Sequence, residues 1–422
     1  MVCDYQWIDS VQGAIKAGIP NHTDHSTAMT RGALKAAILL VGLGLVLAGS
    51  RPISDCGDRI EDDGYPMERH EVVTSDNYIL TMHRIPYSPK TGDSLNRPVA
   101  FLMHGMLSSS SDWVLMGPER SLAYMLADAG YDVWMGNARG NTYSKAHKYW
   151  PTYWQIFWNF SWNEIGMYDV PAMIDYVLAK TGQQQVQYVG HSQGTTVYLV
   201  MVSERPEYNN KIKSAHLLGP AAYMGNMKSP LTRAFAPILG QPNAIVEVCG
   251  SMEFMPSNKF KQDLGIEMCQ ATSSYADMCA NEIFLIGGYD TEQLDYNLLE
   301  HIKATSPAGA SVNQNLHFCQ EYNSGKFRKF DYTALRNPYE YGSYFPPDYK
   351  LKNAKAPVLL YYGANDWMCD VNDVRKLRDE LPNMALDYLV PFEKWAHLDF
   401  IWGTEARKYV YDEVLKQMRS YE

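Results

Sequence analysis

Three residues set far apart along the chain have the chemistry of acyl transfer. Gly190-His191-Ser192-Gln193-Gly194 fits G-x-S-x-G. A serine hydroxyl is a weak nucleophile until a base takes its proton, and the base needs an acid to orient it. Downstream, Asp366 lies in GANDW and His397 in PFEKWAHLDF, so the order is Ser, Asp, His. Asp370, four residues on, is a rival acid. Asp399, two residues from His397, reads as a solvated or structural carboxylate. His191 belongs to the turn itself and is expected to pack into the core, away from Ser192. His301 and His317 fall in a stretch without sheet rhythm, and none of these histidines follows a C-terminal strand as His397 does.

The elements that must position these residues read as a parallel sheet. Residues 68–86 alternate as two strands around a turn at Ser75–Asn77. PVAFLMH (98–104) is a short continuous apolar run, as expected of a strand buried on both faces. A helix over 121–129 ends at Gly130, and DVWM (132–135) is a strand leading into GNARGN. A helix over 168–181 stops at Gly182. Strands at 186–189 and 214–218 flank a helix from Thr195 to Ser203. The rhythm breaks after Pro220 and resumes with APVLLYY (356–362), a strand at 386–390 and a helix over 404–418. Strand–helix alternation argues a parallel sheet with helices on both sides. Residues 51–220 and 346–422 are therefore expected to form the core, and 221–345 an inserted, mainly helical cap. Ser192, Asp366 and His397 all follow strands at their carboxyl ends, one edge of such a sheet.

The spacing around Ser192 has a physical reason. Gly190 and Gly194 let the chain turn sharply after the strand VQYV, presenting the serine at the positive end of a helix. An oxyanion needs two backbone N–H donors. The residue after the nucleophile, Gln193, supplies one. The loop His104-Gly105-Met106-Leu107 supplies the other through Met106, unless HG is a mere turn.

Composition narrows the class. The chain has 422 residues, a formal charge of −10 and no basic stripe, so nucleic acid is not an expected partner. Thirty Tyr and ten Trp imply a well-filled core, an apolar pocket, or both. Met224, Met227, Met252, Met255, Met268 and Met278 fit either an adaptable apolar surface or gap-filling. Of seven Cys, Cys3 precedes the folded part. No CxxC metal spacing occurs, and no metal or cofactor is expected. Cys269 and Cys279 are close enough to bridge in an oxidising compartment, with buried free thiols as the alternative.

The N-terminus carries an address. Arg31 and Lys35 precede the apolar run 36–49, and Ala48 and Ser50 follow as small residues. This is the layout of a secretory signal, too short to span a bilayer comfortably. A chain beginning at Met29 has an ordinary signal peptide; an extended leader or an uncleaved anchor are the other readings. Sequons stand at Asn21, ahead of the signal, and at Asn159, whose aromatic neighbours imply burial and no sugar.

From Gly64 to the end the chain resembles the acid lipases, which include gastric and lysosomal acid lipase. The resemblance rests on DGYPMERHEVVTSDNYIL, LMHGMLSSSSDWV, YDVWMGNARGNTYS, FWNFSWNEIGMYDVPAMIDYV, YVGHSQGTT, SPAGASVNQNLHFCQ and WAHLDFIW. It implies an α/β-hydrolase fold with a mobile lid, and cofactor-free hydrolysis of triacylglycerols or cholesteryl esters. It implies a triad at Ser192, Asp366 and His397, oxyanion donors at Met106 and Gln193, and a disulfide between Cys269 and Cys279. Met106 stands where the family often has Leu, and LIGGYD where it often has a free Cys. The expected product of this chain is a monomeric, secreted or lysosomal enzyme acting on a lipid ester at an interface or droplet. Two rivals remain: a carboxylesterase on smaller esters, and a non-catalytic lipid carrier on the same scaffold.

Overall fold

Six strands pair in parallel, and apolar runs bounded by turns let most of them be buried on both faces. The computed structural model describes residues 55–230, 232–233, 236 and 253–422. The N-terminal extension and signal sequence read in 1–50, with Asn21, lie outside the described residues. The strands are β1 Glu68–Val73, β2 Tyr78–Ile85, β3 Val99–Met103, β4 Asp132–Gly136, β5 Ala146–His147, β6 Val186–His191, β7 Ile212–Leu218, β8 Glu253–Phe254, β9 Ala310–Ser311, β10 Val358–Tyr362 and β11 Met384–Leu389.

The main sheet runs β1-β2-β4-β3-β6-β7-β10-β11, with β5 beside β2. The pairs from β4 through β3, β6, β7 and β10 to β11 are parallel. β1, β2 and β5 add antiparallel pairs at one edge. Every residue of β3, β4, β6 and β10 is buried. Alternate residues serve opposite faces: Phe101 and Met103 join one apolar cluster, Ala100 and Leu102 the other. Burying each large side chain contributes about 1.5–3 kcal/mol. From β3 the chain passes first to β4 on one side and later to β6 on the other. The carboxyl ends of β3 and β6 thus flank a topological switch point, where open α/β sheets place their ligands.

Several elements differ from their expected bounds. The turn between β1 and β2 falls as expected, with Asn77 at φ 75°. A wide turn of π-helix, Ile165–Asp169, precedes the helix Val170–Thr181, and Gly182 closes it at φ 72°. The last helix also begins in a π turn, Arg407–Tyr411, and continues as Asp412–Ser420. Between β7 and β10, the described residues form the helices Lys259–Cys269, Ala276–Gly287, Leu299–Thr305, Val312–Ser324 and Asn337–Tyr341, plus the short pair β8–β9. Among the described methionines, Met224 and Met227 are core residues and Met278 is half exposed. No helix among the described residues is long and apolar enough to cross a membrane.

Cys269 is bonded to Cys279, while Cys56, Cys319 and Cys369 are buried free thiols. One expectation is overturned. Asn159 is exposed, although Phe157, Trp158, Phe160 and Trp162 around it are buried. Its backbone, at φ −80° and ψ 59°, makes a tight three-residue turn in which the Phe160 N–H bonds Trp158 O at 2.9 Å. The aromatic rings go inward and the amide between them goes out.

Candidate active site

β6 ends at His191, and the next residue is held in a backbone region that L-residues avoid. Ser192 has φ 53° and ψ −120°, a strain of about 1–3 kcal/mol. Its N–H bonds Leu218 O at 3.0 Å, and its carbonyl accepts the Thr195 N–H at 2.8 Å. The helix Gln193–Glu204 starts immediately after it. The two glycines of the motif are required by contact. A Cβ on Gly190 would lie 2.7 Å from the Gly194 backbone, and one on Gly194 only 2.1 Å from Met103 O.

Three sheet-edge loops then converge. His397 Nε2 lies 2.8 Å from Ser192 Oγ, and its Nδ1 lies 2.8 Å from Asp366 Oδ2. A carboxylate only accepts, so Nδ1 carries the proton and Nε2 accepts the serine hydroxyl. Asp366 is buried, and its Oδ1 accepts the N–H groups of Met368 at 2.9 Å and Cys369 at 2.7 Å. Those bonds fix the carboxylate so that Oδ2 is left for the imidazole. Asp366, Cys369 and His397 keep donor atoms within 4.8 Å of one another. Two of these groups are bonded to each other, however, and the Cys369 thiol donates to Gly219 O at 3.2 Å. The arrangement is a hydrogen-bonded relay rather than a metal site.

The loop after β3 lies against the serine. A Cβ on Gly105 would sit 3.1 Å from Ser192 Cβ. Met106 and Leu107 follow, half-buried, with Leu107 at φ 61°. His104 anchors this loop: its Nδ1 bonds Gly105 O, and its Nε2 accepts the Ala138 N–H at 3.1 Å and faces Asn141 Nδ2. Burial holds the His104 imidazole neutral, its pKa lowered to about 4. The partner loop GNARGN is itself pinned by Arg139. That guanidinium is fully buried, bonded to Asp169 and Asp76, and stacked 3.9 Å over Tyr78. Removing one member of such a buried cluster costs about 3–5 kcal/mol.

The rival residues are engaged elsewhere. Asp370 caps the helix Val371–Glu380 and pairs with Lys228 at 2.7 Å. His317 stacks on Trp162 with ring centroids 3.5 Å apart. His301 is half-buried on the helix Leu299–Thr305. His191 is buried beside His397, with Nε2 3.0 Å from His397 O and a pKa lowered to about 3 by burial. Asp399 is buried and accepts the Ala396 N–H at 2.6 Å.

Two contributors were not singled out from sequence. Gly219, at φ 56° after β7, leaves room for the His397 imidazole: a Cβ there would lie 3.1 Å from His397 Nδ1. The glycine ending SAHLLG is a signal of that kind. Gln314 donates from Nε2 to Gln193 Oε1 at 3.1 Å, linking the inserted segment to the residue beside Ser192. The S-x-x-Q spacing of Ser311 and Gln314, which forms a capping box, flags a helix start there.

Comparison with known proteins agrees with this geometry. The alpha/beta hydrolase fold model matches residues 98–404, and a partial alpha/beta-hydrolase lipase region matches residues 56–117. Lipase 3 of Drosophila melanogaster is 98% identical over 394 residues, 93% of this chain and 100% of that protein. Human lysosomal acid lipase/cholesteryl ester hydrolase is 39% identical, covering 85% of this chain and 89% of that one. Human gastric triacylglycerol lipase is 38% identical, covering 84% and 88%. A soluble variant of monoglyceride lipase from Saccharomyces cerevisiae shares the fold, at TM-score 0.50 and 14% identity over 85% of this chain and 95% of that one. The chain belongs to the α/β-hydrolase fold family and, within it, to the lipases with which these relatives are grouped. It is an ester hydrolase of the lipase class.

Proposed function

We propose that this chain hydrolyses the carboxylic esters of neutral lipids, triacylglycerols or cholesteryl esters, through an acyl-enzyme on Ser192. The observation that carries this reading is the unbroken line Asp366–His397–Ser192, with both bonds at 2.8 Å. His397 Nε2 takes the hydroxyl proton as Ser192 Oγ attacks the ester carbonyl. Asp366 holds the imidazole in the tautomer that can accept it and stabilises the imidazolium that forms. The N–H groups of Met106 and Gln193 receive the oxyanion. His397 then gives its proton to the departing alcohol. Water, deprotonated by the same imidazole, cleaves the acyl-enzyme and restores Ser192. The relatives' names support a lipid ester as substrate. A fluorophosphonate probe tests the nucleophile: it should label Ser192 in the wild type and leave Ser192→Ala unlabelled.

Residues 221–345 serve in this reading as a cap over the site, consistent with the inserted helices between β7 and β10. The enzyme is read as secreted or lysosomal and monomeric. The layout of residues 29–50, basic residues followed by an apolar run and small residues, supports a signal peptide beginning at Met29. The exposure of Asn159 supports a glycan there, and a mobility shift on endoglycosidase treatment, absent in Asn159→Gln, is the test.

A further inference from the structure

After the helix Ala276–Gly287 the chain wedges between the loops that carry Asp366 and His397. The Gly287 carbonyl accepts both the Trp367 N–H and the His397 N–H, each at 3.1 Å. Gly288, at φ 121°, passes so close that a Cβ there would lie 2.2 Å from Asn365 O and 3.1 Å from Ala396 Cβ. Two residues later Asp290 is buried, and its carboxyl meets that of Asp399. Asp399 Oδ2 accepts the Ala396 N–H at 2.6 Å, and Asp290 Oδ1 accepts the Glu292 N–H at 2.9 Å. Asp290 Oδ2 is buried with no other donor to satisfy it among the described residues. The small cavity the two acids share has otherwise apolar or neutral walls, including Phe284, Leu294, Leu398 and Trp402.

Two carboxylates in contact in such a place cannot both stay ionised, so one proton is shared between them. The surrounding charges favour keeping it. Burial is the largest influence on each acid, and it raises both. The Asp366 carboxylate raises Asp399 further, and Glu292 raises Asp290. The nearby cations are committed elsewhere: Lys394 pairs with Glu292 and Lys408 with Glu405, while His397 is bonded to Asp366. Glu405 reaches the group only through Gln293, at 3.5 Å.

We propose that Asp290 and Asp399 are positioning residues that act as a proton-held latch, pinning the exit of the helix Ala276–Gly287 to the loop of His397 and setting the alkaline limit of activity. When the bridging proton is present, Asp399 donates to Asp290 and the loop is held. As pH rises the proton goes to solvent, two carboxylates face each other, and His397 loses its register with Ser192. The native state binds that proton more tightly than the unfolded chain, so the pair's contribution to stability is present in acid and is lost as pH rises. This proposal rests on the reading of His397 as the base.

The test is the pH dependence of kcat and KM on a short soluble ester, for wild type, Asp290→Asn and Asp399→Asn. An amide donates without needing a proton, so either variant should keep the latch closed. The alkaline limb of kcat should move up by about one pH unit or more, with KM unchanged. Limbs that superimpose on the wild type would overturn the proposal. An infrared titration of the wild type decides independently of activity. A protonated-carboxyl band that is lost in Asp399→Asn should persist in the wild type above the range of a free Asp, distinct from those of Glu321 and Asp112, whose carboxyls burial also raises, and the absence of such a variant-sensitive band would overturn the latch. If wild type hydrolyses no ester yet shows this band, the ester-hydrolase reading fails and the proton-sharing pair stands.

Discussion

The carboxamides of Gln314 and Gln193 meet at 3.1 Å, tying the inserted segment to the residue next to Ser192. Both side chains are buried. Gln314 also accepts the Ser311 N–H at 2.8 Å, so one side chain caps its own helix and steadies the elbow. The same segment docks on the loop after β3, where the Ala308 N–H bonds Leu107 O at 2.7 Å. Gln314→Ala should cost about 1 kcal/mol through the lost cap. It should also lower kcat by about tenfold, because Gln193 is left unpaired beside the oxyanion position. Urea unfolding and steady-state kinetics check the two halves. A variant that is destabilised but keeps the wild-type kcat would show that the contact serves the fold alone.

Gly219 is expected to matter more than its lack of a side chain implies. In Gly219→Ala the new methyl meets His397 Nδ1 at 3.1 Å and Cε1 at 3.2 Å, and the backbone sits at φ 56°. Left-handed backbone costs an L-residue about 1–2 kcal/mol. Displacing the imidazole by a fraction of an ångström should lower kcat up to about 100-fold. Single-turnover kinetics beside a melting curve separate these effects. Loss of stability without loss of rate would contradict the placement of the base.

Acid should act on the buried histidines in the opposite sense to the latch. His216 is fully buried between Ser214 and Tyr361, and burial lowers its pKa to about 3. The folded protein therefore refuses a proton that the unfolded chain takes up below about pH 6.5. The stability this histidine contributes is complete above that pH and is lost as pH falls. Compared with His216→Gln, the wild type should lose about 2 kcal/mol more between pH 7 and pH 5. Urea titrations at both pH values measure the difference. Equal losses would mean that His216 takes up a proton while still folded.

The sequence was readable where the physics is local or periodic. The continuous apolar run PVAFLMH marked β3, the segment APVLLYY marked β10, and the glycines flanking Ser192 marked a turn that no larger residue fits. Asp366 follows the strand APVLLYY in the loop GANDW, with Asp370 four residues on as the rival acid, and in the structure Asp370 caps a helix. The sequence was silent where two distant segments must meet. Gly219 and Gln314 act through residues 178 and 121 positions away, at His397 and Gln193. The Asp290–Asp399 contact likewise depends on how the inserted segment returns to the core. Asn159 was misread because neighbouring aromatics announce burial of themselves, whereas the direction of the amide is set by a turn that composition does not encode.

Ser192 as the nucleophile of a lipase is tested by fatty-acid release from emulsified triolein and cholesteryl oleate by wild type and Ser192→Ala, with a short soluble ester run beside them. Wild type should release long-chain fatty acid, and Ser192→Ala, folded as judged by its melting curve, should lose about 10⁴-fold or more of kcat. Wild-type rates in Ser192→Ala would contradict the assignment of the nucleophile. Release from the short ester alone would contradict the neutral-lipid substrate.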